Sequence, residues 1–285
     1  MHIVMGASGN VGGAVADALL ARGEPVTVLT RKPESANIWR DKGALVLQAD
    51  AEDVASLRAA FRTGRRAFLL NPPADPTGDT DKTERRTIAN ILAAIDGSGL
   101  EKVVAASTYG AQPGENIGDL STLWTLEQGL KNQPIPAAIN RGAYYMTNWT
   151  GLVESVRQSG TLLSMFPADT LMPMVSPRDL GEAAAARLVS PLDDVGIAYV
   201  EGPHRYTPQE VADAFAAALG QEVALSVAAR DEWEGIFKSF GFSDAAARSY
   251  TRMTAASLDD GFATPQAPRR GGVSLAQFVS SAIAS

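Results

Sequence analysis

The sequence predicts a doubly wound α/β fold, and three observations carry that prediction. First, the apolar run His2-Ile3-Val4-Met5 leads into Gly6-Ala7-Ser8-Gly9-Asn10-Val11-Gly12, which opens an amphipathic segment ending at Arg22. Strand, glycine turn and helix in that order let backbone N–H groups at a helix N-terminus approach a pyrophosphate with no Cβ in the way. Second, strand-like and helix-like patterns alternate through the first half, as a parallel sheet with helices on both faces requires. Third, a chain of 285 residues, 45% hydrophobic, suits one such domain with a smaller lobe. The expected architecture is a Rossmann doubly wound parallel sheet with a smaller C-terminal α+β lobe.

The elements follow in order. Strand-like runs occupy 3–5, 26–30, 44–48, 67–70, 102–106 and 137–140. Helix-like stretches between them cover 11–22, 36–42, 54–62, 82–95 and 122–130. Ser56, Leu57, Ala60 and Phe61 show the helical period. Crossovers between parallel strands are right-handed, so ligands are expected at the carboxyl ends of the strands. The loop-biased stretches 71–80 and 110–118 both follow predicted strands, where functional loops sit in this architecture.

The second half is less regular. Residues 144–158 read as a helix that begins with aromatic residues, 162–166 as a strand, and 172–176 as a short apolar run before Pro177. An alanine-rich helix over 179–188 and a strand over 197–201 come next. Thr207-Pro208-Gln209-Glu210 is a helix start, with a Thr cap, Pro first and Glu third, and Gly220 ends that helix. A strand-like run over 223–227, a helical 231–240, a loop over 265–272 and a last helix over 274–283 complete the chain. The expected division is 1–150 for the sheet domain and 151–285 for the smaller lobe, with 178–201 returning to the sheet.

Composition narrows the function. The net charge is −7 with no basic stripe, which argues against nucleic acid as partner. No apolar run approaches the ~20 residues that span a bilayer, so no membrane partner is expected. The N-terminus enters a strand pattern directly, without a signal peptide, and the expected location is cytoplasmic. There are no cysteines, and the two histidines, His2 and His204, lack close ligand-type neighbours, so no metal site is expected.

The second strand indicates which dinucleotide. A site for NAD carries Asp or Glu at the end of that strand to bond the ribose 2′-OH. Here the strand ends Val28-Leu29-Thr30-Arg31-Lys32, with two cations and no carboxylate. Arg31, with Lys32 beside it, is placed to meet a 2′-phosphate; the alternative is a solvated basic turn. The expectation is NADP(H) in preference to NAD(H). Asp50, after the third strand, is expected near the adenine, capping the following helix, or both.

Taken in sequence, these segments resemble the NmrA-like family of atypical short-chain dehydrogenase/reductases. The resemblance rests on the glycine turn, Thr30-Arg31-Lys32-Pro33, Ala49-Asp50-Ala51-Glu52-Asp53, Glu127-Gln128, the stretch from Asn140 to Asn148, Val175-Ser176-Pro177-Arg178-Asp179-Leu180, and Gly202-Pro203. It covers nearly the whole chain. It implies either an NADPH-dependent reductase, such as a quinone reductase, or a protein that binds NADP(H) as a redox sensor. Proteins of this kind are often named nucleoside-diphosphate-sugar epimerases from the fold alone.

Short-chain dehydrogenases usually carry Tyr-x-x-x-Lys, in which the Lys lowers the pKa of a Tyr acid or base. Four residues beyond Tyr109, Tyr144, Tyr145, Tyr199, Tyr206 and Tyr250 stand Pro113, Asn148, Trp149, Pro203, Glu210 and Thr254. None is Lys, and Lys131 comes about two turns too late in the helix after the fifth strand. Carbonyl–alcohol chemistry and sugar epimerisation both need a proton-transfer group beside the nicotinamide. Hydride transfer to a quinone is less demanding, because its product is a stabilised phenolate and proximity supplies much of the rate.

Other site residues are read from strand ends. Asn71 and Pro72 follow the fourth strand, where Asn71 would bond a ribose or the carboxamide, or the pair is a rigid turn. Ser107 and Tyr109 follow the fifth strand near the nicotinamide. Ser107 is assigned to the cofactor. Tyr109 is the candidate catalytic residue, stacking on a flat substrate or donating a proton, or else packs against its loop. Tyr144, Tyr145 and Asn148, with Trp149, form an aromatic cluster suited to a flat acceptor, or else are core. Arg141 and Asp179 are read as structural ties between the lobes. The expected partner is a flat small molecule, and the chain a monomer or homodimer.

Overall fold

The computed structural model describes residues 1–284. Its first half is a regular alternation. In chain order come β1 (His2–Val4), α1 (Asn10–Ala21), β2 (Val26–Thr30), α2 (Asn37–Asp41), β3 (Leu45–Gln48), α3 (Val54–Phe61), β4 (Arg66–Leu69), α4 (Thr80–Ile95), β5 (Lys102–Thr108), α5 (Asp119–Lys131) and β6 (Ala137–Gly142). The second half adds β7 (Tyr144–Tyr145), α6 (Thr147–Thr150), α7 (Val153–Ser159), β8 (Thr161–Ser164), β9 (Met172–Val175), α8 (Pro177–Val189), β10 (Gly196–Glu201), β11 (Arg205–Tyr206), α9 (Pro208–Leu219), β12 (Ala224–Val227), α10 (Trp233–Ser239), α11 (Asp244–Asp259), β13 (Arg269–Arg270) and α12 (Leu275–Ala284).

Eight strands form one sheet in the order β13-β10-β6-β5-β4-β1-β2-β3, with every pairing parallel. The order reverses at β1, whose neighbours are β2 and β4. Ligands of such sheets bind in the crevice at that reversal.

Alternate residues of the buried strands face opposite layers, as the period of two demands. Val4, Val28, Phe68, Val104 and Ala138 pack with Val15 and Leu19 of α1 and Leu180, Ala184 and Leu188 of α8. Ile3, Leu29, Leu69, Val103 and Ile139 pack with Phe61 of α3, Ile88 and Ile91 of α4, and Leu126 of α5. A third core holds the smaller lobe together, with Trp149, Met172 and Met174 against Phe215 of α9 and Val279 of α12. Residues 178–201 supply α8 and β10, so this segment crosses back to the main sheet beside β6.

Local chemistry explains most boundaries. Asp53 caps α3 by accepting from Ala55 and Ser56 N–H, and Asp79 caps α4 at Lys82. Thr207 and Glu210 form the capping box expected of α9, and Gly220 ends it in the left-handed region.

Three readings need correction. The helix expected over 144–158 is broken, because Tyr144 and Tyr145 are extended and pair in parallel with Met174 and Val175. Aromatic residues suit strands, and the available edge of β9 overrides the helical pattern there. A helix of 16 residues, α11, occupies a stretch to which no element was assigned; Ser243 caps it by accepting from Ala246 N–H. The expected loop 265–272 contains β13, which pairs with Val200 and Glu201 of β10.

Candidate functional site

The glycine turn follows β1 at the reversal of strand order. Gly6 has φ +69°, a backbone conformation that a side chain would strain. The turn closes with a 2.9 Å bond from Gly9 N–H to the Gly6 carbonyl. A Cβ on Gly12 would lie 2.3 Å from the Gly6 oxygen, so only glycine lets α1 sit this close to the turn. A Cβ on Gly9 would meet nothing nearer than 3.5 Å, so that side of the turn is open. α1 begins without a side-chain cap, which leaves first-turn N–H groups, among them those of Asn10, Val11 and Gly12, facing outward. Ser8 and Asn10 are exposed and carry no side-chain hydrogen bond. An open cradle of uncapped amides with flanking polar side chains fits a pyrophosphate.

β2 runs parallel to β1 and brings Arg31 and Lys32 to the same edge of the sheet. Both are exposed, and neither side chain has a hydrogen bond or ion pair among the described residues. Asp50 is half-buried; its carboxylate accepts Glu52 N–H at 3.0 Å, and its own N–H bonds Ser56 at 3.1 Å. That is a turn role, with α3 itself capped by Asp53. Asn71, after β4, accepts from the Thr87 hydroxyl at 2.6 Å, and its amide group is left without a protein partner. Pro72 is half-buried beside it.

Ser107 stands differently. It is 1% exposed, and its hydroxyl donates to Glu127 at 2.6 Å. Glu127 also receives Arg141 through two bonds of 2.8 and 2.7 Å. The hydrogen bonds to Glu127 hold the Arg141 guanidinium above its usual range, although burial opposes this. Ser107 is therefore tied to the ion pair under β5 and β6, with its hydroxyl proton given to Glu127.

Tyr109 is similarly engaged. Its hydroxyl donates at 2.7 Å to Glu201, a fully buried carboxylate that also pairs with Arg205 and Arg270. Burial, then the bond to Glu201 and its charge, push the Tyr109 phenol far above its ordinary range. Burial pushes Glu201 up, but its bonds to Arg205 and Tyr109 and the Arg205 and Arg270 charges outweigh that and hold it down. Asp179 ties the C-terminal segment to α8 by accepting Gly272 and Val273 N–H at 2.9 and 3.3 Å.

A cavity of about 480 Å³ opens beside the ends of β5 and β6. Thr108, Tyr109, Tyr144, Tyr145 and Asn148 line it on the sheet side. Phe237 of α10, Phe240 and Phe242 just after it, and Tyr250 of α11 also line it, with Trp149, Phe166 and Phe262. The rings support one another: Tyr144 meets Phe166 edge-on at 5.6 Å, and Tyr250 meets Phe242 at 5.0 Å. Burial raises the phenols of Tyr144, Tyr145 and Tyr250.

One acidic residue, Asp119, lines this cavity. It is the first residue of α5, after Gly118. It is exposed where it borders the cavity. Its carboxyl has no hydrogen bond or ion pair among the described residues. Burial, and then the charge of Asp81, raise it to about 6. Glu84, buried nearby on α4, is raised to about 7, chiefly by burial and then by the Asp119 charge. Among the described residues no group of acidic or histidine side chains is arranged to hold a metal ion, and no helix is long and apolar enough to cross a membrane.

The structure thus brings Tyr144, Tyr145 and Asn148 together, as read from the sequence, and adds the wall from α10 and α11 and the acid Asp119. The i, i+3 spacing of Tyr250 and Met253 on α11 marks one face of that helix but does not say against what it packs. Asp119 directly follows the loop-biased stretch 110–118, and that position is its one visible signal.

Known proteins share this fold. The NAD(P)H azoreductase of Xenophilus azovorans is 21% identical over 260 residues, covering 91% of this chain and 88% of that protein. The Citrobacter triphenylmethane reductase complexed with NADP(H) has a TM-score of 0.82 at 19% identity, covering 99% of both chains. The Escherichia coli NADPH-dependent quinone oxidoreductase complexed with NADPH has a TM-score of 0.80 at 19% identity, again covering 99% of both. The model of the NmrA-like family matches residues 2–253, and the chain belongs to that family.

Proposed function

We propose that the protein is an NADPH-dependent reductase that delivers a hydride to a flat, quinone-like acceptor in the aromatic cavity. The observation that carries this reading is the position of that cavity at the ends of β5 and β6, on the same sheet edge as the glycine turn after β1. The azoreductase and the two reductases with solved structures act on aromatic or quinonoid compounds, which agrees with it.

The chain's own groups divide the work. The open side of Gly6, Gly9 and Gly12 and the uncapped N–H groups of Asn10 and Val11 hold the pyrophosphate, with Ser8 alongside. Arg31 and Lys32 take the 2′-phosphate, which is the basis for preferring NADPH to NADH. Asp50 shapes the adenine side, and Asn71 and Pro72 the nicotinamide-side ribose. Bound NADPH supplies the hydride. Tyr144, Tyr145 and Asn148 hold the acceptor flat and exclude water, so that proximity supplies much of the rate. Among the described residues no lysine lines the cavity, and an acceptor whose reduced form is a stabilised anion suits that lining.

The test is NADPH oxidation followed by absorbance, with and without simple quinones. Multiple turnovers dependent on the quinone support the reading. Tight NADPH binding with no turnover on any acceptor overturns it and favours a cofactor-sensing protein.

A further inference from the structure

We propose that Asp119 is the proton donor for reduction in the aromatic cavity. The inference rests on the reductase reading and identifies the acid that the missing Tyr-x-x-x-Lys pair leaves unassigned.

The reduction of a quinone by NADPH consumes one proton per hydride. A quinone that gains a hydride becomes the monoanion of its hydroquinone. Asp119, protonated, breaks its O–H bond as the anionic oxygen forms one. The resulting carboxylate takes a proton back from water at the cavity mouth. Two electrons enter with the hydride and none move with the proton, so the step balances.

The other lining hydroxyls are engaged elsewhere or, as alcohols and phenols, are far weaker acids than a carboxyl. Tyr109 is committed to Glu201 at 2.7 Å. Ser164, Thr254 and Ser257 donate to the backbone carbonyls of Phe166, Tyr250 and Met253 at 2.7, 2.9 and 2.9 Å. The phenols of Tyr144, Tyr145 and Tyr250 are made weaker acids by burial. Asp119 is the one carboxylic acid among the residues that line the cavity, and its carboxyl has no protein partner among the described residues.

The groups around it keep it protonated at useful pH. Asp81 and Glu84 of α4 are its acidic neighbours; the Asp81 charge opposes its ionisation, and the Asp119 charge in turn helps to raise Glu84. Asp81 is itself engaged by Ser249 of α11 and lies 3.8 Å from Arg85. Arg85 turns toward α5, bonding Thr125 and Ser121 at 3.0 and 2.9 Å, and forms no bond to Asp119. Tyr145 of β7 and Tyr250 of α11 face the same carboxyl. With the carboxyl at about 6, the acid form is well populated below neutrality.

The experiment compares wild type with Asp119→Asn on two acceptors at saturating NADPH. A simple quinone needs a proton. A cationic triarylmethane dye needs none, because the hydride forms a C–H bond and neutralises the cation. In wild type, kcat for the quinone should fall as pH rises through about 6, while kcat for the dye does not. In Asp119→Asn the ratio of quinone to dye kcat at pH 5.5 should drop about 10- to 100-fold, the low end of general acid catalysis, and the inflection should vanish. Carbon-13 NMR of aspartate-labelled protein without cofactor should lose one carboxyl titrating near 6 in the variant. Asp119→Asn removes a charge from a crowded acidic region, so folding is not at risk, and Asp119→Glu should restore part of the ratio. An unchanged ratio and pH profile in Asp119→Asn would overturn the proton-donor assignment alone. No turnover of either acceptor by wild type would overturn the reductase reading and this inference with it.

Discussion

The Tyr109 hydroxyl donates a hydrogen bond to Glu201 at 2.7 Å, and that carboxylate is entirely buried. The bond joins the end of β5 to the end of β10 and completes a site shared with Arg205 and Arg270. Tyr109 lines the cavity while its proton is given to Glu201. Tyr109→Phe should lower stability by about 1.5–3 kcal/mol, the value of a hydrogen bond to a charged group, and leave quinone kcat within a few-fold. Denaturant unfolding and steady-state kinetics on the same preparation check both parts. A large kcat loss at unchanged stability would return Tyr109 to the chemistry.

Arg31 is exposed and unpaired at the end of β2. Arg31→Ala should weaken NADPH roughly 10- to 100-fold, the equivalent of one charge-assisted contact, and leave NADH almost unaffected. Titration with each nucleotide reads this. Equal loss for both would remove the 2′-phosphate assignment.

Gly12 admits no Cβ, because one would sit 2.3 Å from the Gly6 oxygen and 2.5 Å from that of Met5. These are backbone atoms, so relief requires α1 to move away from β1. Gly12→Ala should cost about 1–3 kcal/mol of stability, as overpacking does, and reduce nucleotide affinity by more than that strain accounts for. Full nucleotide affinity in the variant would show that the turn does not bind the pyrophosphate.

Stability should also depend on pH in an unusual direction. Glu84 is raised to about 7 and Asp119 to about 6, so the native state keeps these protons after the unfolded chain has lost them. Between about pH 4.5 and 7 the native state binds more protons, and stability falls as pH rises. For Glu84 the effect is at most about 3 kcal/mol at 1.36 kcal/mol per pH unit. Glu201 and Asp194, whose carboxyls are held down, act at lower pH, where their protonation destabilises the fold. Denaturant unfolding across this range should show the decline, and Glu84→Gln should remove most of it.

Much of this was legible because its signals are local. The glycine turn, the alternation in the first half and the capping box at Thr207 each depend on neighbours within a few residues. The position of Arg31 was legible because the end of β2 fixes it. What the sequence hid depends on distant partners. Tyr144 and Tyr145 are extended because β9, nearly thirty residues later, offers them an edge. Ser107 is occupied by Glu127, which reaches it from α5. The far wall of the cavity comes from α10 and α11, and α11 received no assignment although Ser243 caps it. Asp119 looked like an ordinary first-turn acid until the fold set it against an aromatic cavity with Asp81 and Glu84 as its acidic neighbours.

The central claim is hydride transfer from NADPH to an acceptor in the aromatic cavity. The most direct measurement is the pre-steady-state rate of NADPH oxidation at saturating simple quinone, using cofactor carrying hydrogen or deuterium at the transferred position. The account predicts a quinone-dependent burst that deuterium slows severalfold. Tight cofactor binding with no quinone-dependent oxidation would contradict it.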